Sequence, residues 1–270
     1  MPAKSSPDRH RGPLILFGAL SDGERDVAVV ARLLAHVGSA LSVLVMATGE
    51  HANTATVDLE ALLRAAGAVD VHRRQLAGRS ECASRALLDL AESVRLIVLA
   101  AEHPLQLSTV IGGTPLARVV RRRNADGVAV AGFGGAAPLL CEHMVAGSGE
   151  GLSPKHGRAQ LAPGLGLTNR VLIDQGGHAS DRLGRLLAAL ALNPFALGVG
   201  LDAGTAIVIG PDNVLDVFGS GGVTLIDPSE MADSNAVGLD PGAPIQITNL
   251  RLHALAGGAR YDLDFRRTVG

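Results

Sequence analysis

The chain has 270 residues, 47% of them apolar, and carries 24 basic against 26 acidic side chains, which is enough to bury a large core in one α/β domain. That near-neutral balance, with one Tyr, five Phe and no Trp, offers neither a global basic field nor many stacking platforms, so no nucleic-acid partner is expected. Two cysteines, Cys82 and Cys141, lie too far apart to suggest a disulfide framework or a CxxC metal knuckle, and they fit a reducing cytoplasm.

In chain order, the first twelve residues, MPAKSSPDRHRG, are polar, lack the apolar core of a secretory signal and read as a flexible tail. Residues 13–270 then read as a single domain. Apolar runs predict strands at 14–17, 41–47, 69–72, 96–100, 128–131 and 171–173, and 3.6-residue periodicity predicts helices at 22–36, 54–65, 83–94, 115–123, 135–145 and 180–192. Four later strands, at 206–209, 215–217, 223–226 and 245–254, are separated by turns such as GPDN and GSGG, which indicates antiparallel ribbons added to a parallel core. The whole reads as a mostly parallel sheet flanked by helices. The apolar stretch 186–201 is broken by Asn193 and Pro194 and falls short of the roughly 20 residues that span a bilayer, so no membrane segment is expected.

The segment GVAVAGFGGAAPLLCEHM, Gly127 to Met144, brings an apolar strand through a tight glycine turn into a helix, the layout of a nucleophile elbow. The residue lifted above the sheet is Gly134, which has no atom with which to attack a carbonyl. A glycine turn at a helix N-terminus can also hold phosphate, but this one lacks both the GxGxxG spacing and the GK[ST] ending. Glu142 and His143 lack the i, i+4 spacing of a metal pair on a helix. No metal or cofactor is expected. The run Arg121 to Arg123 reads as a solvated, dipole-compensating helix end.

Several further segments, APGLGLTNRVLIDQ (162–175), DRLGRLLAALALNPFALGVGLDAGTAIVI (181–209) and LRLHALAGGARYDL near the C-terminus, resemble the cyanophycinase family. The APGLG, IDQ, RxxRLL and NP-x-x-LG-x-G-x-D elements occur in the family's order from about Gly12 onward. The resemblance implies a class I glutamine amidotransferase-like fold with a flavodoxin-like core. It also implies serine exopeptidase chemistry, in which a Ser, His and Glu cut cyanophycin, a polyaspartate bearing arginines, into β-Asp-Arg. At the positions of that triad this chain departs from the family pattern. GFGGAA in place of GTSAGA puts Gly134 at the nucleophile, IDQGG in place of IDQHF puts Gly176 at the base, and GLDAGTA in place of G-x-D-E-x-T-A puts Ala203 at the orienting acid. The family's GGDQ loop is Ala101, Glu102, His103 and Pro104 here. Asp174, Gln175, Arg182 and Arg185 match the polar floor of the family's substrate site, while an arginine two residues before Arg182 is replaced by Ser180.

The expectation is a catalytically degenerate member, a pseudoenzyme serving as a structural or regulatory subunit, as a homodimer or paired with an active paralogue. One alternative is an active hydrolase of cyanophycin or another isopeptide, with His178 or Cys141 as a relocated group; on a continuous helix Cys141 stands roughly 10 Å beyond the elbow. The other is a non-catalytic binder of Asp-Arg units through Asp174, Gln175, Arg182 and Arg185.

Overall fold

The computed structural model describes residues 10–20, 23–38, 41–146, 151–175 and 179–270. The first half alternates strand and helix: β1 (Leu14–Phe17), α1 (Gly23–Val37), β2 (Ser42–Ala47), α2 (Ala52–Ala65), β3 (Asp70–Gln75), α3 (Arg85–Ser93), β4 (Leu96–Ala101), α4 (Pro104–Ile111), α5 (Pro115–Ala125) and β5 (Ala129–Gly134). A short helix, α6 (Ala136–Leu139), leads to β6 (His143–Val145), β7 (Leu161–Pro163), β8 (Val171–Gln175) and α7 (Ala179–Leu192). The rest is strand: β9 (Leu197–Leu201), β10 (Thr205–Ile209), β11 (Val214–Gly219), β12 (Val223–Asp227), β13 (Asp233–Ser234), β14 (Ile247–Thr248), β15 (Arg251–Leu255), β16 (Arg260–Asp262) and β17 (Arg267–Val269).

Five parallel strands, in the order β1-β5-β4-β2-β3, form the heart of a nine-stranded sheet, and antiparallel β10, β11, β16 and β17 extend it beyond β1. Strands buried on both faces must be apolar at every position, and β1 and β4 are buried almost throughout. α1 and α2 cover one face with Val30, Leu33, Leu59 and Leu63. The opposite face carries α3 to α6 through Leu87, Leu107, Leu116 and Leu139. A second sheet, β15-β12-β9-β8, turns Ile173, Val199 and Leu225 into that larger core and Leu172 and Ile226 toward α7, as the two-residue period of a strand requires.

Three expectations need correction. The helix predicted at 135–145 stops at Leu139, because the carbonyls of Leu139, Leu140, Cys141 and Glu142 accept N–H groups from Leu165, Leu167, Gly166 and Gly164 in place of a continuing helix. The strand predicted at 245–254 is broken into β14 and β15 by Asn249, whose φ is 62°. β9 and α4 were absent from the predicted elements. In β9 the weak strand formers Gly198 and Gly200 mask the pattern, and Gly198 is small because α7 lies on it: an added Cβ would stand 2.8 Å from Leu190 Cδ1.

Candidate functional site

The elbow is present in the backbone. β5 ends at Gly134 with φ 57°, and Gly135 turns into the right-handed region to begin α6. β4 and β5 stay in register through the turn, pairing Ala101 with Gly134. In consequence the Gly135 N–H donates to the Ala101 carbonyl at 2.7 Å. An elbow stabilises an oxyanion with the N–H that comes after the nucleophile, and here that donor is engaged by a carbonyl. A Cβ at Gly134 would stand 3.1 Å from the same oxygen. Gly134→Ser and Gly134→Ala are both expected to cost about 1–2 kcal/mol, since a side chain in the left-handed region is the common penalty. Urea unfolding of the two variants checks this, with equal midpoint shifts expected.

A cavity of about 280 Å³ opens at Gly134, above the carboxyl ends of β1, β2, β4 and β5, where ligands of open α/β sheets bind. Small residues make the space, Ala47, Ala52, Ala55 and Ala100 among them, and Phe133 and Leu59 close the wall. Its polar lining includes Asp58 and a contact of 2.7 Å between His51 Nδ1, at the start of α2, and Glu102 Oε1, after β4.

The polar floor lies elsewhere, at the end of β8. Asp174 there is 5% exposed and receives both Arg185 Nε and Nη2, at 2.8 and 3.0 Å. Burial pushes its carboxyl above the ordinary carboxylate range, with Arg185 and then Arg182 pulling it partly back. Arg182, one turn before Arg185 on α7, is paired with Asp202, whose other oxygen accepts the Gly222 N–H at 3.1 Å. Gln175 is half-buried beside Asp174. Ala203 is exposed in the turn between β9 and β10, next to the Gly204 N–H that donates to the Ala19 carbonyl at 2.8 Å. Gly176 and His178, and the side chain of Ser180, lie outside the described residues.

Cys141 is fully buried, bridged to Thr168, and burial raises its thiol to about 12. It remains a thiol at neutral pH, and the thiolate is the nucleophile. Arg122 and Arg123 end α5, with Arg122 exposed, and they also tie α5 to the end of α3: Arg122 pairs with Glu92, and Arg123 donates to the Val94 carbonyl at 2.9 Å. Among the described residues no three His, Cys, Asp or Glu side chains are grouped to hold a metal ion, and no helix is long and apolar enough to cross a membrane.

His51 and Asp58 carry no sequence signal, whereas Glu102 falls in the loop that stands in place of the family's GGDQ. His51 and Asp58 belong to α2 and its N-terminus and Glu102 follows β4, and the sheet order brings the two segments together.

The parallel sheet, the helices on both faces and the elbow at the end of β5 define an open α/β scaffold. The crystal structure of a peptidase from an acI-B1 Actinobacterium shares this fold with a TM-score of 0.56 and 16% identity, over 92% of this chain and 98% of that one. The chain matches no protein-family model. It is 35% identical over 204 residues to the cyanophycinase of Trichormus variabilis, covering 75% of this chain and 68% of that protein. To the cyanophycinase of Geminocystis herdmanii it is 32% identical over 197 residues, 73% of this chain and 72% of the relative. The chain belongs to the cyanophycinase family.

Proposed function

We propose that this chain is a non-hydrolytic member of its family, acting as a structural or regulatory subunit in company with a second cyanophycinase-like chain. The observation that carries the reading is the elbow itself: a left-handed glycine at the nucleophile position, succeeded by an N–H already bonded to Ala101. Removing one member of a serine triad leaves only about 10³–10⁴-fold acceleration, supplied by the oxyanion hole and binding. Here the hydroxyl is missing and one donor that would serve the hole is engaged, so that remainder loses one of its sources. A relocated Cys141 is disfavoured by its burial, and binding of Asp-Arg units is disfavoured because Asp174 already holds Arg185 and Asp202 holds Arg182. Two free, buried cysteines support the cytoplasm as the place of action.

Incubation of the purified chain with cyanophycin tests the reading. No β-Asp-Arg above the buffer blank is expected, and release that scales with protein concentration and persists across independent preparations overturns it. The pairing is tested by what copurifies from the native cell. A stoichiometric second subunit carrying a GTSAG turn is expected, and a chain recovered alone or only with itself removes the heteromeric part of the proposal.

A further inference from the structure

We propose that the cavity over Gly134 is a binding site for a small organic cation, an ammonium group on a short apolar body. It goes beyond the non-hydrolytic reading, since it holds whether or not the chain cleaves a peptide. The cavity is separate from the polar floor: none of Asp174, Gln175, Arg182 or Arg185 lines it. At about 280 Å³ it lies just below the roughly 300–1,000 Å³ typical of ligand pockets, which limits it to a small ligand. Alanines and glycines account for more than half of its wall, and Leu20, Leu59 and Phe133 supply most of the remaining apolar surface, which fits an apolar body of a few carbons.

Two carboxylates face the cavity. Among the described residues Asp58 and Glu102 line it, no lysine or arginine does, and His51 is the one basic lining residue, bonded to Glu102. Asp58 belongs to no ion pair among the described residues. It stands on the same face of α2 as Ala52 and Ala55, one turn after Ala55, so its carboxylate accompanies the apolar wall out to solvent. An ammonium placed there forms a charge-assisted bond with Asp58 while its chain replaces water along the alanines. A carboxylate of the same length meets the like charge of Asp58 and is rejected.

Calorimetric titration and thermal unfolding with n-hexylammonium, and with hexanoate as the matched anion, test this. Saturable binding of hexylammonium with a raised Tm is expected, and no response to hexanoate. Asp58→Asn, at an exposed position whose change leaves the fold intact, is expected to weaken hexylammonium binding about tenfold, and Ala55→Leu, which fills the cavity, to abolish it. Absence of hexylammonium binding, an equal response to hexanoate, or an Asp58→Asn protein that binds like the wild type overturns the proposal. Because no step of this experiment reads hydrolysis, its failure leaves the non-hydrolytic reading standing, and peptide release in the cyanophycin assay leaves the cation site standing.

Discussion

Asp227→Ala is expected to lower the unfolding free energy by about 3–5 kcal/mol, the range for removing one partner of a buried ion pair. Asp227 ends β12 with no exposed surface. It accepts the Ser229 N–H at 2.9 Å and Arg251 Nη2 at 2.6 Å, and it pairs with Arg266 from the turn between β16 and β17. Arg266 also donates to the Phe195 carbonyl at 3.0 Å, just before β9. One carboxylate thereby joins the second sheet, the outer hairpin of the first sheet and the connection from α7 to β9. Arg251 keeps a contact of 3.4 Å with Glu230 after the substitution, but the charge at the centre of the cluster is gone. The loss carries a pH signature. Burial alone would raise the Asp227 carboxyl, yet the Ser229 N–H and Arg266 outweigh it and hold the group below its ordinary value. A depressed carboxyl contributes stability above the unfolded value of about 3.9 and loses it as pH falls through the folded value. The gap between wild type and Asp227→Ala is therefore expected to be full at neutral pH and to narrow in acid. Urea unfolding at pH 7 and pH 3 measures both. A difference under about 1 kcal/mol at pH 7, or one that does not shrink at pH 3, contradicts the assignment.

How much of the fold and the site was legible in the sequence depends on whether the information is local. The strand at 14–17 coincides with β1, and the helices predicted near 54–65 and 115–123 lie within α2 and α5, because continuous apolar runs and amphipathic periods are local signals. The glycine turn at Gly134 was equally readable, since only glycine adopts that backbone at little cost. The course of the chain beyond Leu139 was not. Nothing in PLLCEH announces that its carbonyls are bonded by residues 164–167, so a helical pattern became a short α6 and a strand. The fate of the Gly135 N–H was hidden for the same reason: it depends on the pairing of Ala101 with Gly134, a long-range register. The residues of the polar floor were readable as a set, but their mutual pairing was not, because β8, α7 and the turn after β9 must first meet.

Arg185→Met is expected to destabilise the protein by about 3–5 kcal/mol, whereas the double variant Asp174→Leu/Arg185→Met is expected to lie within about 1 kcal/mol of wild type. The single change leaves the Asp174 carboxylate at 5% exposure without the guanidinium that binds both its oxygens. The double change removes both desolvated charges and returns two apolar side chains of similar bulk. The raised Asp174 carboxyl is the reason to expect this asymmetry: burial opposes the charged form more strongly than Arg185 and Arg182 favour it. For a carboxyl raised on folding, the favourable contribution is greatest below the unfolded value of about 3.9 and declines as pH climbs through the folded value. Stability of the double variant is thus expected to fall less than that of wild type as pH is raised from 4 toward neutrality. Denaturant unfolding of wild type, both single variants and the double variant gives the coupling energy directly. A double variant as damaged as Arg185→Met would show that Asp174 and Arg185 contribute separately. A positive coupling of several kcal/mol would show that these two residues bind each other, leaving an Asp-Arg ligand to compete with a partner already in place.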